Sequence, residues 1–118
     1  MNTITTPVTN GLQNILTGVS LDQLSEPLRA AAARAGWTQL MPVQASAIPY
    51  LLAGRRMMIQ ARTGSGKTGA YLLPMLERLD PTRDLCQALV LTPTRELARQ
   101  VTEEAELLCG PEIGRAHV

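Results

Sequence analysis

Phenylalanine is absent from this sequence, and aromatic residues of all kinds make up only 3% of its 118 positions. Any hydrophobic core must therefore be built from aliphatic side chains and alanine. Apolar residues still account for 45% of the chain, an ordinary share for a folded protein, so the composition excludes intrinsic disorder as the default expectation. The length leaves room for one small domain.

An excess of charge of either sign is also missing. The net charge is +1, so any binding to nucleic acid must rely on a local site rather than on a broadly basic surface. Lysine is almost absent as well, because Lys67 is the only one of the 11 basic residues that is not an arginine. A compact ammonium group does not replace a planar guanidinium, which singles out this position. A general preference for arginine would explain the same pattern.

Two cysteines, Cys86 and Cys109, stand at a spacing that fits no metal site. The first twenty residues lack the basic and apolar regions of a targeting signal, and no apolar run approaches the length that spans a membrane. These absences predict a cytoplasmic protein without membrane contact, in which both thiols stay reduced.

Turn and cap residues divide the middle of the chain into helices. Ser25 with Pro27 predicts the start of a first helix, and Gly36 predicts its end. A second predicted helix begins at Pro42, and Pro49 is expected to kink or interrupt it.

Two short, unbroken apolar runs, "RMMIQA" and "QALVLT", are typical of strands buried on both faces. Each is followed by a predicted helix, the second of which starts near Thr94. Alternation of this kind predicts an α/β fold, with a parallel sheet joined by right-handed crossovers.

The stretch "ARTGSGKT" lies between the first predicted strand and a helix, and it follows the pattern G-x-x-x-x-G-K-[ST] with Ala61 in place of the first glycine. Gly64 and Gly66 would let the backbone curl until several N–H groups point at one polyphosphate. The helix that follows would add its positive end. Lys67 would reach the β- and γ-phosphates, and the Thr68 hydroxyl would bind Mg²⁺. A glycine-rich turn without a ligand is the alternative, but the flanking strand and helix favour nucleotide binding.

Two more stretches flank this loop, "GWTQLMPVQ" before it and "PTRELA" after it. In order and separation, the three resemble the Q motif, motif I and motif Ia of the DEAD-box RNA helicases, and the likeness extends over roughly residues 21–110. Motif I of that family also begins with alanine. The resemblance identifies the chain as an N-terminal fragment of the first RecA-like lobe of a bacterial-type DEAD-box ATP-dependent RNA helicase, which is a P-loop NTPase with a parallel sheet and flanking helices.

The resemblance implies ATP and Mg²⁺ as ligands and RNA, bound mostly without regard to sequence, as the partner. It makes Gln44 the adenine-reading residue, because a planar amide offers one acceptor and two donors to the base edge. Trp37 matches the family's aromatic residue, with packing and base contact both open as its role. The implied RNA-phosphate contacts are Pro93, Thr94 and Arg95, although an exposed first helical turn would also explain Arg95. The implied ATP-binding residues are Gln44, Ala61, Arg62, Thr63, Gly64, Ser65, Gly66, Lys67 and Thr68, of which Lys67 and Thr68 are the catalytic candidates.

The sequence also departs from the family. A phenylalanine that usually packs on adenine ahead of the first helix is missing, and Val19 or Leu21 stands in its place, which leaves the packing residue open and predicts weaker nucleotide selectivity. Gly69 stands where alanine is usual. The acidic DEAD strand, the coupling motif and the arginine fingers of a second lobe are not found, so we expect weak ATP binding and no hydrolysis from the chain alone.

The expected organisation is a flexible leader over residues 1–18, a partial helicase lobe over residues 19–111 and a non-native tail over residues 112–118. The final "IGRAHV" can be encoded by ATC-GGA-AGA-GCA-CAC-GTC, the start of a widely used sequencing adapter, which is why the tail is expected to be foreign. A truncated sheet also predicts a chain that is marginally stable or aggregates.

Two further functions stay open at this level. The first is another P-loop NTPase, such as a DNA helicase or a transporter ATPase, against which "GWTQLMPVQ" argues because it resembles an adenine-reading segment. The second is a non-catalytic RNA-binding fragment, which would keep "PTRELA" but turn nothing over. The sequence names neither the RNA nor its pathway.

Overall fold

The computed structural model describes residues 4–7 and 15–110. Its strands are β1 (Ile4–Pro7) and β2 (Met57–Gln60), and its α-helices are α1 (Glu26–Arg34), α2 (Pro42–Leu52), α3 (Lys67–Glu77) and α4 (Arg95–Cys109). A short 3-10 helix, Leu21–Gln23, precedes α1. Most of the predicted leader and the whole predicted tail lie outside these residues. Within them, no helix has the length and apolar character that crossing a membrane requires.

The first helix, α1, begins and ends at the residues that the sequence indicates. Ser25 precedes it with Pro27 in the first turn, and Gly36 lies just beyond its end with a φ of +79°. The amide of Gly36 donates to the carbonyl of Ala33, and the amide of Trp37 donates to the carbonyl of Ala32 over 2.9 Å. This pair of hydrogen bonds is the Schellman ending, which glycine favours because it adopts positive φ without steric cost. The ending fixes the direction in which the chain leaves α1 at Trp37.

The second helix, α2, continues through Pro49 to Leu52, so of the two expected effects of this proline, a kink or an interruption, the interruption does not occur. Because Pro49 has no N–H, the carbonyl of Ala45 loses its usual helical donor. The amide of Val19 takes that place and donates to the Ala45 oxygen over 3.1 Å. The proline therefore allows the segment ahead of α1 to be fastened to α2.

The hydrophobic core lies among the four helices, and α3 contacts each of the other three. It is aliphatic, as the absence of phenylalanine requires. Trp37, Tyr71, Val101 and Ala105 pack around it while partly exposed. The buried members of the core are Leu24, Leu28, Ala31, Ile48, Leu72, Leu73 and Leu108.

The sheet differs from the prediction. Within the described residues it has two strands, β1 and β2, which run antiparallel with Ile4 opposite Gln60 and Pro7 opposite Met57. β1 lies inside the segment that was expected to be a flexible leader. β2 is not buried on both faces either, since Met58 is 70% exposed. An apolar run supplies a strand, but its burial depends on the neighbours that cover it.

The second predicted strand, residues 87–92, has no regular secondary structure. Leu89 is 76% exposed and Leu91 is 85% exposed. A strand needs a neighbour to satisfy its backbone groups, and residues 87–92 pair with neither β1 nor β2, the strands of the described residues. The predicted parallel pairing is therefore wrong for residues 4–7 and 15–110.

Candidate functional site

Residues 61–66 connect β2 to α3 and form a tightly curled loop, which we call the phosphate loop. The amide of Ser65 donates to the carbonyl of Arg62 over 3.1 Å and closes a turn. Gly64 and Gly66 have φ values of +82° and +92°, in the left-handed region that a side chain would strain. Gly66 is also the N-cap residue of α3, so the loop leads directly into the first helical turn.

The start of α3 is suited to an anion. The helix has no side-chain cap, because its N-cap residue is glycine, and its first amides therefore lack a side-chain acceptor. In the same loop, the Ser65 hydroxyl is buried and has no hydrogen-bond partner. A buried polar atom without a partner is costly, which is an independent indication that the loop is shaped for a ligand with acceptor oxygens. A polyphosphate fits this set of donors.

Lys67 and Thr68 occupy the first two positions of α3 and are both half-buried. They lie at the positive end of the helix, next to the loop, as the sequence indicates. No group of three or more His, Cys, Asp or Glu residues that could hold a metal ion occurs within the described chain.

Gln44 lies in the first turn of α2, and its side chain reaches the phosphate loop. Only 3% of the residue is exposed. Its Oε1 accepts from the amide of Met41 over 2.9 Å, and its Nε2 donates to the carbonyl of Gly66 over 3.3 Å. The amide therefore joins two segments that are 22 residues apart in the sequence.

A cleft of about 550 Å³ lies between the segment ahead of α1 and the stretch that leads from α1 into α2, and Gln44 is not among the residues that line it. Val19 and Leu21, the two positions left open for the adenine-packing residue, both line it, and so does Trp37. The phosphate-loop residues are not part of its lining. Sequence reasoning missed Asp22, Arg29 and Gln39, which also line it, because a cleft between segments leaves no local pattern.

The predicted RNA-contact residues form a separate, exposed group. Pro93, Thr94 and Arg95 stand at the start of α4, where the Thr94 hydroxyl oxygen accepts from the amide of Leu97 over 3.1 Å. The hydroxyl proton of Thr94 stays available to a phosphate oxygen. None of the hydrogen bonds described for these three residues reaches the phosphate loop.

Two groups on α4 have shifted pKa values. Burial raises the pKa of the Glu104 carboxyl above its ordinary value. Burial also raises the pKa of the Cys109 thiol, although the nearby Arg34 guanidinium acts in the opposite direction. Arg34 donates from Nε and Nη2 to the carbonyl of Leu108, so it satisfies the end of α4. These shifts have structural causes away from the phosphate loop.

Comparison with known families gives one match that covers most of the chain. A sequence profile of the DEAD/DEAH box helicase family matches residues 41–117. The match includes the phosphate loop and the start of α4, and it also extends into the segment that was predicted to be foreign. Sequencing the encoding DNA tests the prediction of a foreign tail, because codons for residues 113–118 other than ATC-GGA-AGA-GCA-CAC-GTC would contradict it.

Individual relatives agree. The chain is 50% identical over 93 residues to the RNA helicase CrhR of Synechocystis, covering 78% of this chain and 19% of the relative. It is 50% identical over 80 residues to the ATP-dependent RNA helicase DeaD of Escherichia coli, covering 68% of this chain and 13% of the relative. The chain thus spans less than a fifth of the length of these relatives.

Among solved structures, the RNA helicase Prp28 of Chaetomium thermophilum bound to ADP superposes with a TM-score of 0.64 at 32% identity. The superposition covers 91% of this chain and 27% of that one. This likeness confirms the α/β, RecA-like fold class, although the second predicted strand is not formed.

Proposed function

The chain belongs to the DEAD/DEAH box helicase family, and we propose that it supplies the ATP-binding site of an ATP-dependent RNA helicase. One observation carries the proposal further than the family alone. The buried amide of Gln44 is hydrogen-bonded to Gly66 of the phosphate loop, so a base-reading group and a phosphate-holding loop form one unit. The relatives named above are RNA helicases, which favours this function over a DNA helicase or a transporter ATPase.

Gln44 would read the adenine. Its Oε1 has two lone pairs and its Nε2 has two hydrogens, and the contacts to Met41 and Gly66 use one of each. One acceptor and one donor are left, which is the pair that adenine's N6 amino group and N7 require. Val19 and Leu21, which line the cleft ahead of α2, would pack against the base. The aliphatic side chains at positions 19 and 21 offer less stacking surface than phenylalanine would.

The phosphate loop would hold the polyphosphate. The amides around Gly64 and Gly66, the Ser65 hydroxyl and the Lys67 ammonium supply donors and positive charge. Mg²⁺, when bound, neutralises phosphate charge, and the Thr68 hydroxyl would be its protein ligand. The remaining loop residues are Ala61, Arg62 and Thr63, and they would set the direction in which the backbone enters the curled loop.

Hydrolysis and unwinding are proposals for the whole protein. Acidic groups that position a water molecule and arginines from a second lobe would complete the site, and the described residues hold no acidic cluster able to bind a metal ion. Pro93, Thr94 and Arg95 would contact RNA phosphates without reading the sequence. We propose a cytoplasmic location for this activity.

Titration with a fluorescent ATP analogue tests the proposal. We expect Mg²⁺-dependent binding that ATP displaces more effectively than GTP. Gln44→Ala removes the base-reading amide, and the loss of two hydrogen bonds worth about 1 kcal/mol each is expected to weaken ATP binding at least tenfold and to abolish the preference over GTP.

Gln100→Ala, which removes an exposed amide on α4, is the matched control and should leave binding unchanged. Equal affinity of the unaltered chain for ATP and GTP would contradict the role of Gln44. RNA binding that does not depend on ATP in the complete protein would support the non-catalytic alternative instead.

A further inference from the structure

Trp37 lies against the first turn of α3 at a position that has no side chain. A β-carbon placed on Gly69 would lie 2.5 Å from Cη2 and 2.6 Å from Cζ2 of the Trp37 indole. Both distances are far below van der Waals contact, so the indole occupies the space that any larger residue at position 69 would need. Gly69 itself is buried beneath it.

The indole is held from both ends. Its backbone is fixed by the Schellman ending of α1, in which the Trp37 amide donates to Ala32. Its side chain packs against the hydrophobic core. Moving the ring aside, for instance into the cleft that it also lines, would cost it these core contacts, which the end of a flexible side chain would not lose.

The same small space is shared with Gln44. Its Nε2 would lie 2.8 Å from a β-carbon on Gly69, and that nitrogen donates to Gly66 of the phosphate loop. Trp37, Gln44 and the start of α3 therefore meet at Gly69. An indole displaced within this space pushes against the amide or against the helix that carries Lys67, and one displaced into the cleft leaves the core.

We propose that Trp37 is a positioning residue, which uses the missing β-carbon of Gly69 to hold the start of α3 in register with Gln44. The proposal rests on the function proposed above, because the register matters when one ligand contacts both Gln44 and the phosphate loop. Position 69 then requires glycine because a β-carbon would collide with the indole. The backbone conformation does not require it, since the φ of Gly69 is not positive.

Unfolding by urea tests the fit, because two effects of Gly69→Ala have opposite signs. Alanine is a better helix former than glycine, so the substitution alone should stabilise α3 and raise the urea midpoint. In the presence of Trp37, overpacking should reverse the sign and lower the midpoint. In Trp37→Phe, which lacks the far indole atoms, Gly69→Ala should raise the midpoint.

Ser46→Ala, at an exposed position of α2, controls for helix propensity and should have the same effect with Trp37 and with Phe at position 37. If Gly69→Ala does not fold, the double variant Trp37→Phe with Gly69→Ala decides the question. A folded double variant supports the proposed fit between the indole and Gly69, and an unfolded one contradicts it. A midpoint raised equally in both backgrounds would overturn the proposal.

Nucleotide binding tests the positioning role. With the fluorescent ATP analogue as the probe, Gly69→Ala should weaken binding about tenfold, equivalent to about 1.4 kcal/mol, and the added Trp37→Phe substitution should restore most of it. Trp37 is the only tryptophan, so the emission of Gly69→Ala should also shift before any nucleotide is added. Unchanged binding in Gly69→Ala would contradict the positioning role alone, whereas an unaltered chain that binds no nucleotide would contradict the proposed function as well.

Discussion

At the scale of single residues, Gln44 and Ser65 show how the site departs from ordinary packing. Among residues 15–110, Gln44 is the one polar residue that is buried, and its amide is used by Met41 and Gly66. The buried Ser65 hydroxyl has no such partner. A folded chain generally pairs its buried polar groups, and this hydroxyl is free to donate to the phosphate oxygens that we propose the loop holds.

Glu104 gives a prediction about pH. Burial raises the pKa of its carboxyl above the ordinary value of 4.5, so the native state favours the protonated form. Above both the ordinary and the raised pKa the carboxylate is ionised in both states and its burial destabilises the fold, whereas well below pH 4.5 the acid is neutral in both and this cost disappears. Glu104→Gln should therefore increase the free energy of unfolding at pH 7 and have little effect in acid.

Urea unfolding at both pH values measures the difference. The control is Glu103→Gln, because Glu103 is exposed on the same helix and its carboxylate stays in water. A gain from Glu104→Gln that is as large in acid as at pH 7 would show that burial of the charge is not its cause.

At the scale of elements, the helices could be predicted and the sheet could not. α1 and α4 are marked by residues that act locally, Ser25 and Gly36 for the first and Thr94 for the second. The run at residues 87–92 has equally clear strand chemistry, yet strand formation depends on a neighbour that no local pattern reveals. The pairing of β1 with β2 was missed for the same reason.

The candidate site likewise has parts that the sequence indicates and parts that it does not. The sequence indicates the phosphate loop, because its glycines and Lys67 are consecutive. It also indicates Gln44 through the flanking motifs. It gives no sign that Trp37 covers Gly69 or that Pro49 leaves the Ala45 carbonyl to Val19, because each is a contact between distant segments.

Pro49 gives a prediction at this scale. Pro49→Ala restores an amide that can donate to the Ala45 carbonyl and so competes with the amide of Val19. We expect a more stable α2, by up to about 3 kcal/mol, together with faster hydrogen exchange of the Val19 amide. Both are measured by urea unfolding and by exchange followed by NMR.

Pro74→Ala is the matched control, because it also replaces a proline within a helix, in α3, and should leave exchange at Val19 unchanged. Slow exchange at Val19 in Pro49→Ala would mean that the segment is held to α2 by other contacts.

At the scale of the whole molecule, the described residues consist of a packed group of helices and an exposed apolar segment at residues 87–92. Leu89 and Leu91 are among its most exposed large side chains. Exposed apolar segments with unpaired backbone groups tend to associate, so we expect the purified chain to self-associate as its concentration rises.

Replacing Leu89 and Leu91 with lysine should shift this association to concentrations at least about tenfold higher, because charged side chains on such a segment block pairing. Sedimentation velocity over a range of concentrations gives the readout. Leu107→Lys places the same charge at an exposed site on α4 and should have a smaller effect. A chain that stays monomeric throughout would contradict the expectation.

The central claim is that the phosphate loop and the start of α3 bind ATP. The reactivity of the Lys67 ammonium group can be measured to test it. Lys67 is the only lysine, so an amine-directed acetylating reagent modifies Lys67 and the terminal amine alone. We predict that Mg²⁺ with ATP slows the acetylation of Lys67 at least about tenfold while the terminal amine reacts at the same rate, because the bound phosphates cover the ammonium. Mass spectrometry of both sites over time gives the two rates. Equal rates at Lys67 with and without saturating ATP would contradict the claim.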